Sequence, residues 1–171
     1  MNIRTEKASD YKEVYQLNYL AFGERQDESK LIERIRLSGE FVPELSIIAE
    51  EKGEIVGHIL LSKAKIVNPN EDYEVIVLAP IAVKPGYQKK GIGSKLMQEG
   101  LRRCRKLGYG LVLLIGHPDY YPKFGFKPAR KYGLELRQFD VPDEVFMVCE
   151  LKAGQLNKVH GELIYPDAFF S

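Results

Sequence analysis

The chain of 171 residues carries 25 basic and 24 acidic side chains, a formal net charge of +1, and is 44% hydrophobic and 29% charged. That length suits one domain, residues 1–171, with a sizeable core, and those fractions exclude a disordered chain. The near balance of charge excludes a dedicated nucleic-acid binder or a polybasic membrane protein, and two cysteines, Cys104 and Cys149, exclude a disulfide framework. The start MNIRTEKASDYKEV lacks the apolar stretch of a signal peptide, and no apolar run approaches the roughly 18 residues of a membrane span, so cytoplasmic residence is expected.

Residues 10–22 place Val14, Leu17 and Tyr11 near one helical face, with Ser9 or Asp10 as N-cap. Gly23 interrupts, and residues 28–37 resume helical spacing through Leu31, Ile32 and Ile35. Leu45 to Glu51 and Ile55 to Ile66 flank Lys52-Gly53-Glu54 and read as a hairpin. A second turn cluster, residues 68–72, leads to a long strand from Tyr73 to Val83. Pro80 lies inside that strand and has no N–H to donate, so the ladder should be bulged or unpartnered there. After a loop, Ile92, Leu96, Met97, Leu101, Cys104 and Leu107 form one helical stripe, and Gly108 stops the helix. Gly110 to Ile115 reads as a buried strand, residues 119–124 as one short helix and Phe146 to Leu151 as another strand. The order predicts a mixed α/β or α+β domain with a single layer of sheet.

Gln88-Lys89-Lys90-Gly91-Ile92-Gly93-Ser94 lies between the long strand and its helix. Glycines let the backbone turn amides toward a ligand, and the helix N-terminus adds unpaired N–H groups. Lys89 and Lys90 sit where the helix dipole disfavours cations, unless an anion binds between them. A solvated lysine-rich turn is the competing reading. A Walker loop lacks its Gly-Lys-Ser/Thr, and a dinucleotide fingerprint lacks its third glycine, Leu96 standing there.

In its residues 81–97, IAVKPGYQKKGIGSKLM, the chain resembles the acetyl-coenzyme A motif of the GNAT superfamily of N-acetyltransferases, Gln/Arg-x-x-Gly-x-Gly/Ala, with Gln88, Gly91 and Gly93 at its defining positions. The likeness continues through GLVLLIGHPDYYPKFGFKPA and covers about residues 73–130. The Gly-His-Pro-x-Tyr-Tyr-x-x-Phe-Gly-Phe form and the Gly57-His58 pair are similar to a bacterial subgroup of predicted N-acetyltransferases. The resemblance implies the GNAT fold, a mixed central sheet flanked by helices, and acetyl-CoA as cosubstrate. It implies that the amides of Gln88, Lys89, Lys90, Gly91, Ile92, Gly93 and Ser94 hold the pyrophosphate. Ile81, Ala82 and Val83 would then offer backbone to the pantetheine arm and to the thioester carbonyl.

The implied chemistry is direct attack of a primary amine on the thioester in a ternary complex. Tyr121, four residues before Gly125, stands at the family's general-acid position, with Tyr120 as a packing aromatic. Glu28, with Glu24 beside it, and His117 are candidates for the base; a solvated helix-end acid and a turn-shaping histidine are the plain alternatives. His58, mid-strand, reads as a hydrogen-bonded sheet residue. Histidines and cysteines never approach metal-ligand spacing, so no metal is expected. Expected partners are acetyl-CoA and a small-molecule or peptide amine, with neither nucleic acid nor membrane. Superfamily members pair through sheets or C-terminal segments, so LIYPDAFF, residues 163–170, serves a homodimer or closes its own core. The rival functions are a non-catalytic acyl-CoA sensor, a protein amine acetyltransferase and a longer-acyl transferase.

Overall fold

A computed structural model describes every residue from Met1 to Ser171. The backbone groups into two compact units: Met1–Ser62, Ala79–Arg103 and Ala168–Ser171 in the first, Lys63–Leu78 and Cys104–Asp167 in the second.

The first unit opens with a strand that residue patterning did not reveal, β1 (Asn2–Thr5), followed by helices α1 (Tyr11–Ala21) and α2 (Asp27–Arg36). Strand β2 (Phe41–Glu51) pairs with β1 from Asn2↔Glu50 to Thr5↔Ile47 and with β3 (Glu54–Val67), both antiparallel. β2 begins four residues before its expected start at Leu45. Its register slips between Phe41 and Ser46, the stretch that holds Pro43. Strand β4 (Asp72–Val83) lies beside β3 and leads through the 84–91 loop to helix α3 (Ile92–Lys106).

Helices cover both faces of β2 and β3. Val14 and Leu17 of α1 pack on Ile48, Ile55 and Ala82, and Ile32 and Ile35 of α2 pack on Leu60 and Ala79. Acids open α2 and Arg34 and Arg36 close it, as its dipole favours. The opposite face belongs to α3. A Cβ on Gly57 would lie 2.8 Å from Ile92 Cγ2 and 2.9 Å from Leu96 Cδ1, and one on Gly100 would lie 2.8 Å from Leu61 Cδ1. These two glycines therefore set how closely α3 approaches β3. Arg103 fixes the far end, donating to Thr5 Oγ1 and the Glu44 carbonyl at 2.8 Å each. Ala168 and Phe169 pack against the α2 cluster, and Arg34 Nε donates to the Ala168 carbonyl at 2.8 Å.

In the second unit β4 pairs with β5 (Leu111–Ile115), parallel, at Ile76↔Val112 and Val77↔Leu113. β5 pairs with β8 (Phe146–Glu150), antiparallel, from Leu111↔Glu150 to Ile115↔Phe146, and β8 pairs with β6 (Phe126–Pro128). β7 (Leu134–Glu135) pairs with β9 (Gly161–Ile164), which also pairs with the end of β3, after the single-turn helix α4 (Gln155–Lys158). The expected stop at Gly108 is present: its φ is +94°, and Tyr109 N donates to the Cys104 carbonyl at 3.0 Å. Leu107, expected on the buried stripe, is 42% exposed, because the chain has already left the helix.

Residues 129–145 are organised around Arg130. Its guanidinium donates to Glu135 and Asp143 and to the carbonyls of Val141 and Leu136, and it stacks on Phe146. Gln138 imitates a strand partner, donating to the Tyr165 carbonyl and accepting from Tyr165 N. Leu163 and Tyr165 of the C-terminal segment are buried. No helix is long and apolar enough to cross a membrane.

Candidate active site

In the first unit the end of β4 departs from strand periodicity. Side chains alternate faces along a strand, so residues three apart should oppose each other. Ala79 and Ala82 instead both pack toward the α1 and α2 face, Ala79 with Leu60 and Ala82 with Ile48. The irregularity spans Pro80, as the missing N–H predicts, and just precedes or includes Ile81, Ala82 and Val83.

The loop that follows is held from beneath and open above. Lys84 N donates to the Val56 carbonyl at 2.8 Å, Tyr87 N to the Lys84 carbonyl at 2.9 Å, and Gln88 Nε2 to the Val83 carbonyl at 3.2 Å. The Lys84 ammonium pairs with Glu54. Gln88, Lys89, Lys90 and Gly91 are exposed. Lys89 and Gly91 have φ values of +63° and +85°. A left-handed lysine costs about 1–2 kcal/mol, so the loop holds strain at the turn onto the helix. Left-handed residues interleaved with others turn successive amides to one side and make an anion-binding concavity. Ile92 then opens α3, whose first turn contains no acidic residue. The loop, the lysines and the bare helix start suit a diphosphate.

Glu28 stands in the first turn of α2, which Ser29 ties to α1 by donating from Oγ to the Tyr15 carbonyl at 2.7 Å. Arg25 donates to Glu28 Oε2 at 2.6 Å, and Oε1 is buried without a hydrogen-bond partner. Glu28 is thus a half-buried carboxylate with one lone-pair-bearing oxygen uncommitted. Glu24 is exposed, at φ +62°, in the connection between the helices.

In the second unit Tyr121 begins a 3-10 turn, Tyr121–Phe124, with Pro122 in its first turn and Gly125 closing it. The Tyr121 ring meets Tyr120 edge-on at 5.0 Å and Phe126 at 6.0 Å. Burial, with Tyr120 adding to it, pushes the Tyr121 phenol up to about 12. Tyr120 packs on Phe124 and carries the Lys123 ammonium 4.1 Å from its ring centroid, which suits the packing role expected of it. The His117 side chain is 71% exposed, and its Nδ1 accepts from Asp119 N at 3.3 Å. The Asp119 carboxylate lies 3.9 Å from the same nitrogen.

A buried polar cluster escaped residue-by-residue reading. Glu6 accepts from Arg36 Nη2 at 2.6 Å and from Ser46 Oγ at 2.8 Å, and Ser46 Oγ lies 3.0 Å from His58 Nε2. Ser, His and Glu come together here, yet not as a nucleophilic triad. The carboxylate takes the serine proton instead of orienting the imidazole, and Ser46 and His58 are 1% and 0% exposed, out of reach of substrate. His58 is a hydrogen-bonded sheet residue, as expected. Cys104 and Cys149 are free and buried, and burial pushes the Cys104 thiol up to about 12. No three His, Cys, Asp or Glu side chains gather as a metal site.

A family model described as an acetyltransferase (GNAT) domain matches residues 2–129. The chain is 30% identical over 169 residues to the uncharacterized N-acetyltransferase YhbS of Escherichia coli K12, covering 99% of this chain and 98% of that relative. It is 34% identical over 121 residues to the uncharacterized N-acetyltransferase YjhQ of the same organism, 71% of this chain and 66% of that one. The crystal structure of E. coli YhbS in complex with CoA superposes with a TM-score of 0.89 at 30% identity, covering 98% of this chain and 91% of that one. A GNAT family acetyltransferase from Brucella melitensis in complex with acetyl-CoA gives 0.79 at 29% identity, covering 98% and 97%.

Proposed function

The chain belongs to the GNAT family of acetyltransferases, and from that membership we propose that it transfers an acetyl group from acetyl-CoA to a primary amine by direct attack in a ternary complex. The observation that carries the reading is the 84–91 loop, with left-handed Lys89 and Gly91 opening onto a helix without an acid in its first turn. Its amides, Gln88 through Ser94, hold the pyrophosphate. Backbone groups of Ile81, Ala82 and Val83, beyond the irregularity at Pro80, receive the pantetheine arm and polarise the thioester carbonyl. The relatives crystallised with CoA and with acetyl-CoA support this assignment.

Glu28 takes a proton of the incoming ammonium, directly or through a water relay, with His117 as the alternative base. The freed amine forms a C–N bond to the thioester carbon, the C–S bond breaks with its electron pair leaving on sulfur, and the surplus proton on nitrogen passes to water. Tyr121 is assigned to that leaving sulfur as its proton or hydrogen-bond donor. Burial raises the phenol above its ordinary value, so it arrives protonated and able to donate to the departing thiolate as the general acid. The phenol favours an acetyltransferase over a sensor that only binds acyl-CoA, which would not need it.

Calorimetry of acetyl-CoA with wild type, Gly91→Asp and Tyr121→Phe tests the reading. Gly91→Asp should lose binding, because its carboxylate meets the pyrophosphate, and Tyr121→Phe should keep it. Thiol release with a polyamine, an amino acid, an aminoglycoside, an amino sugar nucleotide and a peptide amine then screens acceptors, and Tyr121→Phe should slow any turnover about 10–100-fold. Folded wild-type protein that binds no acetyl-CoA sinks the proposal; binding without turnover of any amine class favours the sensor.

A further inference from the structure

Gly116 follows β5, and its backbone does not need to be glycine. Its φ lies outside the left-handed region, and its N–H donates to the Val145 carbonyl at 2.9 Å in ordinary fashion. What it lacks is room. A Cβ there would lie 2.4 Å from Tyr121 Cε2, 2.9 Å from Tyr121 Cδ2 and 3.2 Å from Leu114 Cδ1. The first two distances are shorter than any real Cβ contact, and both fall on one edge of a single ring. The phenol ring lies directly against the Gly116 Cα.

The ring has little freedom to yield. Tyr120 and Phe126 meet it edge-on, and Pro122 follows it in the 3-10 turn. A methyl group at position 116 must tilt the ring, and a tilt about Cβ moves the hydroxyl at the far end most. Hydrogen-bond strength falls steeply with distance and angle, so a displacement tolerable for packing is not tolerable for the phenol's bond.

We infer that Gly116 is a positioning residue for Tyr121: the absent side chain is the space that sets the height of the phenol, and through it the stabilisation of the CoA thiolate. The inference rests on the Tyr121 role proposed above. It assigns a role to the glycine of Gly116-His117-Pro118 that neither turn chemistry nor helix breaking supplies.

The probe is CoA itself, so no acceptor is required. Its affinity is measured by calorimetry across pH, beside desulfo-CoA, for wild type, Gly116→Ala, Tyr121→Phe and the double variant. A phenol hydrogen bond favours the thiolate, so the wild-type complex should ionise its thiol at lower pH than the Tyr121→Phe complex, by about one pH unit. Gly116→Ala should raise that ionisation toward the Tyr121→Phe value, leave desulfo-CoA affinity unchanged, and add nothing in the Tyr121→Phe background. A Gly116→Ala complex that titrates like wild type, while Tyr121→Phe shifts, overturns the inference and spares the Tyr121 role. A Tyr121→Phe complex that titrates like wild type overturns the Tyr121 role and the inference with it. An equal Gly116→Ala shift in both backgrounds, or loss of desulfo-CoA binding or cooperative melting, makes Gly116 a fold residue and also overturns it.

Discussion

At the scale of single residues, hydrogen-bond accounting fixes what a histidine can do. Ser46 has one hydroxyl proton, and Glu6 accepts it at 2.8 Å, so at 3.0 Å Ser46 Oγ can only accept from His58 Nε2. His58 is therefore the neutral Nε2-protonated tautomer, and its buried Nδ1 has no hydrogen-bond partner. Burial, with the Arg36 charge added, lowers its pKa from 6.5 to about 3. The consequence for stability has a definite sign. Above pH 6.5 both folded and unfolded chains carry a neutral imidazole. Between pH 6.5 and about 3 the unfolded chain binds a proton that the folded chain refuses, so stability falls as pH falls. The slope is about 1.4 kcal/mol per pH unit once well below 6.5. Replacing His58 with Gln, which keeps a donor for Ser46, should flatten that slope. Denaturant midpoints of wild type and variant at pH 7 and pH 5 check this; parallel losses in the two proteins would mean that His58 does not carry the acid sensitivity.

At the scale of elements, the α3 start is both a packing contact and the proposed ligand site, so that proposal couples its packing to its affinity. Ile92 is the first residue of α3 and also rests its Cγ2 over Gly57. An added methyl at position 57 would meet Ile92 and Leu96 at 2.8 and 2.9 Å. Ile92 is β-branched and stiff at χ1, so the helix rather than the side chain must give way. Gly57→Ala should cost about 1–3 kcal/mol, the usual range for overpacking, and should weaken acetyl-CoA binding. Denaturant melts beside calorimetry check the pairing of the two losses, and a variant destabilised at undiminished affinity would uncouple them. The same contrast explains what residue patterns could reveal. α3, its Gly108 stop and the lysine–glycine loop are local signals, carried by a 3.6-residue period and a few adjacent residues. β1, β6, β7 and β9 are two to four residues long and show no period, and partners elsewhere in the chain decide them. The Glu6, Arg36, Ser46 and His58 cluster was illegible for the same reason. Its members are scattered from residue 6 to residue 58, and a charged residue far from its partner looks like any solvated one. The role of Gly116 was equally hidden, because space for a ring is a property of three dimensions only.

At the scale of the whole molecule, charge balance makes the site's electrostatics local. With a net charge of +1 the chain has no long-range field to gather a polyanion, and attraction must come from cations within about a Debye length, roughly 10 Å at 0.1 M salt. In the loop region Lys84 is already paired with Glu54, and the Lys90 ammonium lies 5.5 Å from the Tyr87 ring centroid. Lys89 and Lys90 flank the left-handed turn directly, and the first acid of α3, Glu99, is engaged by Arg102 and Arg103. Removing one loop cation and removing one cation outside the loop change the net charge equally but the loop's own charge unequally. Lys89→Gln should weaken CoA binding about 2–5-fold at low salt, as one solvent-exposed ion pair does, and should flatten the salt dependence of the affinity. Exposed Lys152, outside the loop, provides the matched control. Lys152→Gln should leave both the affinity and its salt dependence at their wild-type values. Calorimetric titrations of CoA at low and high salt distinguish the cases. Equal effects of the two substitutions would mean that overall charge, not the loop, draws the ligand, and the pyrophosphate would then need another seat.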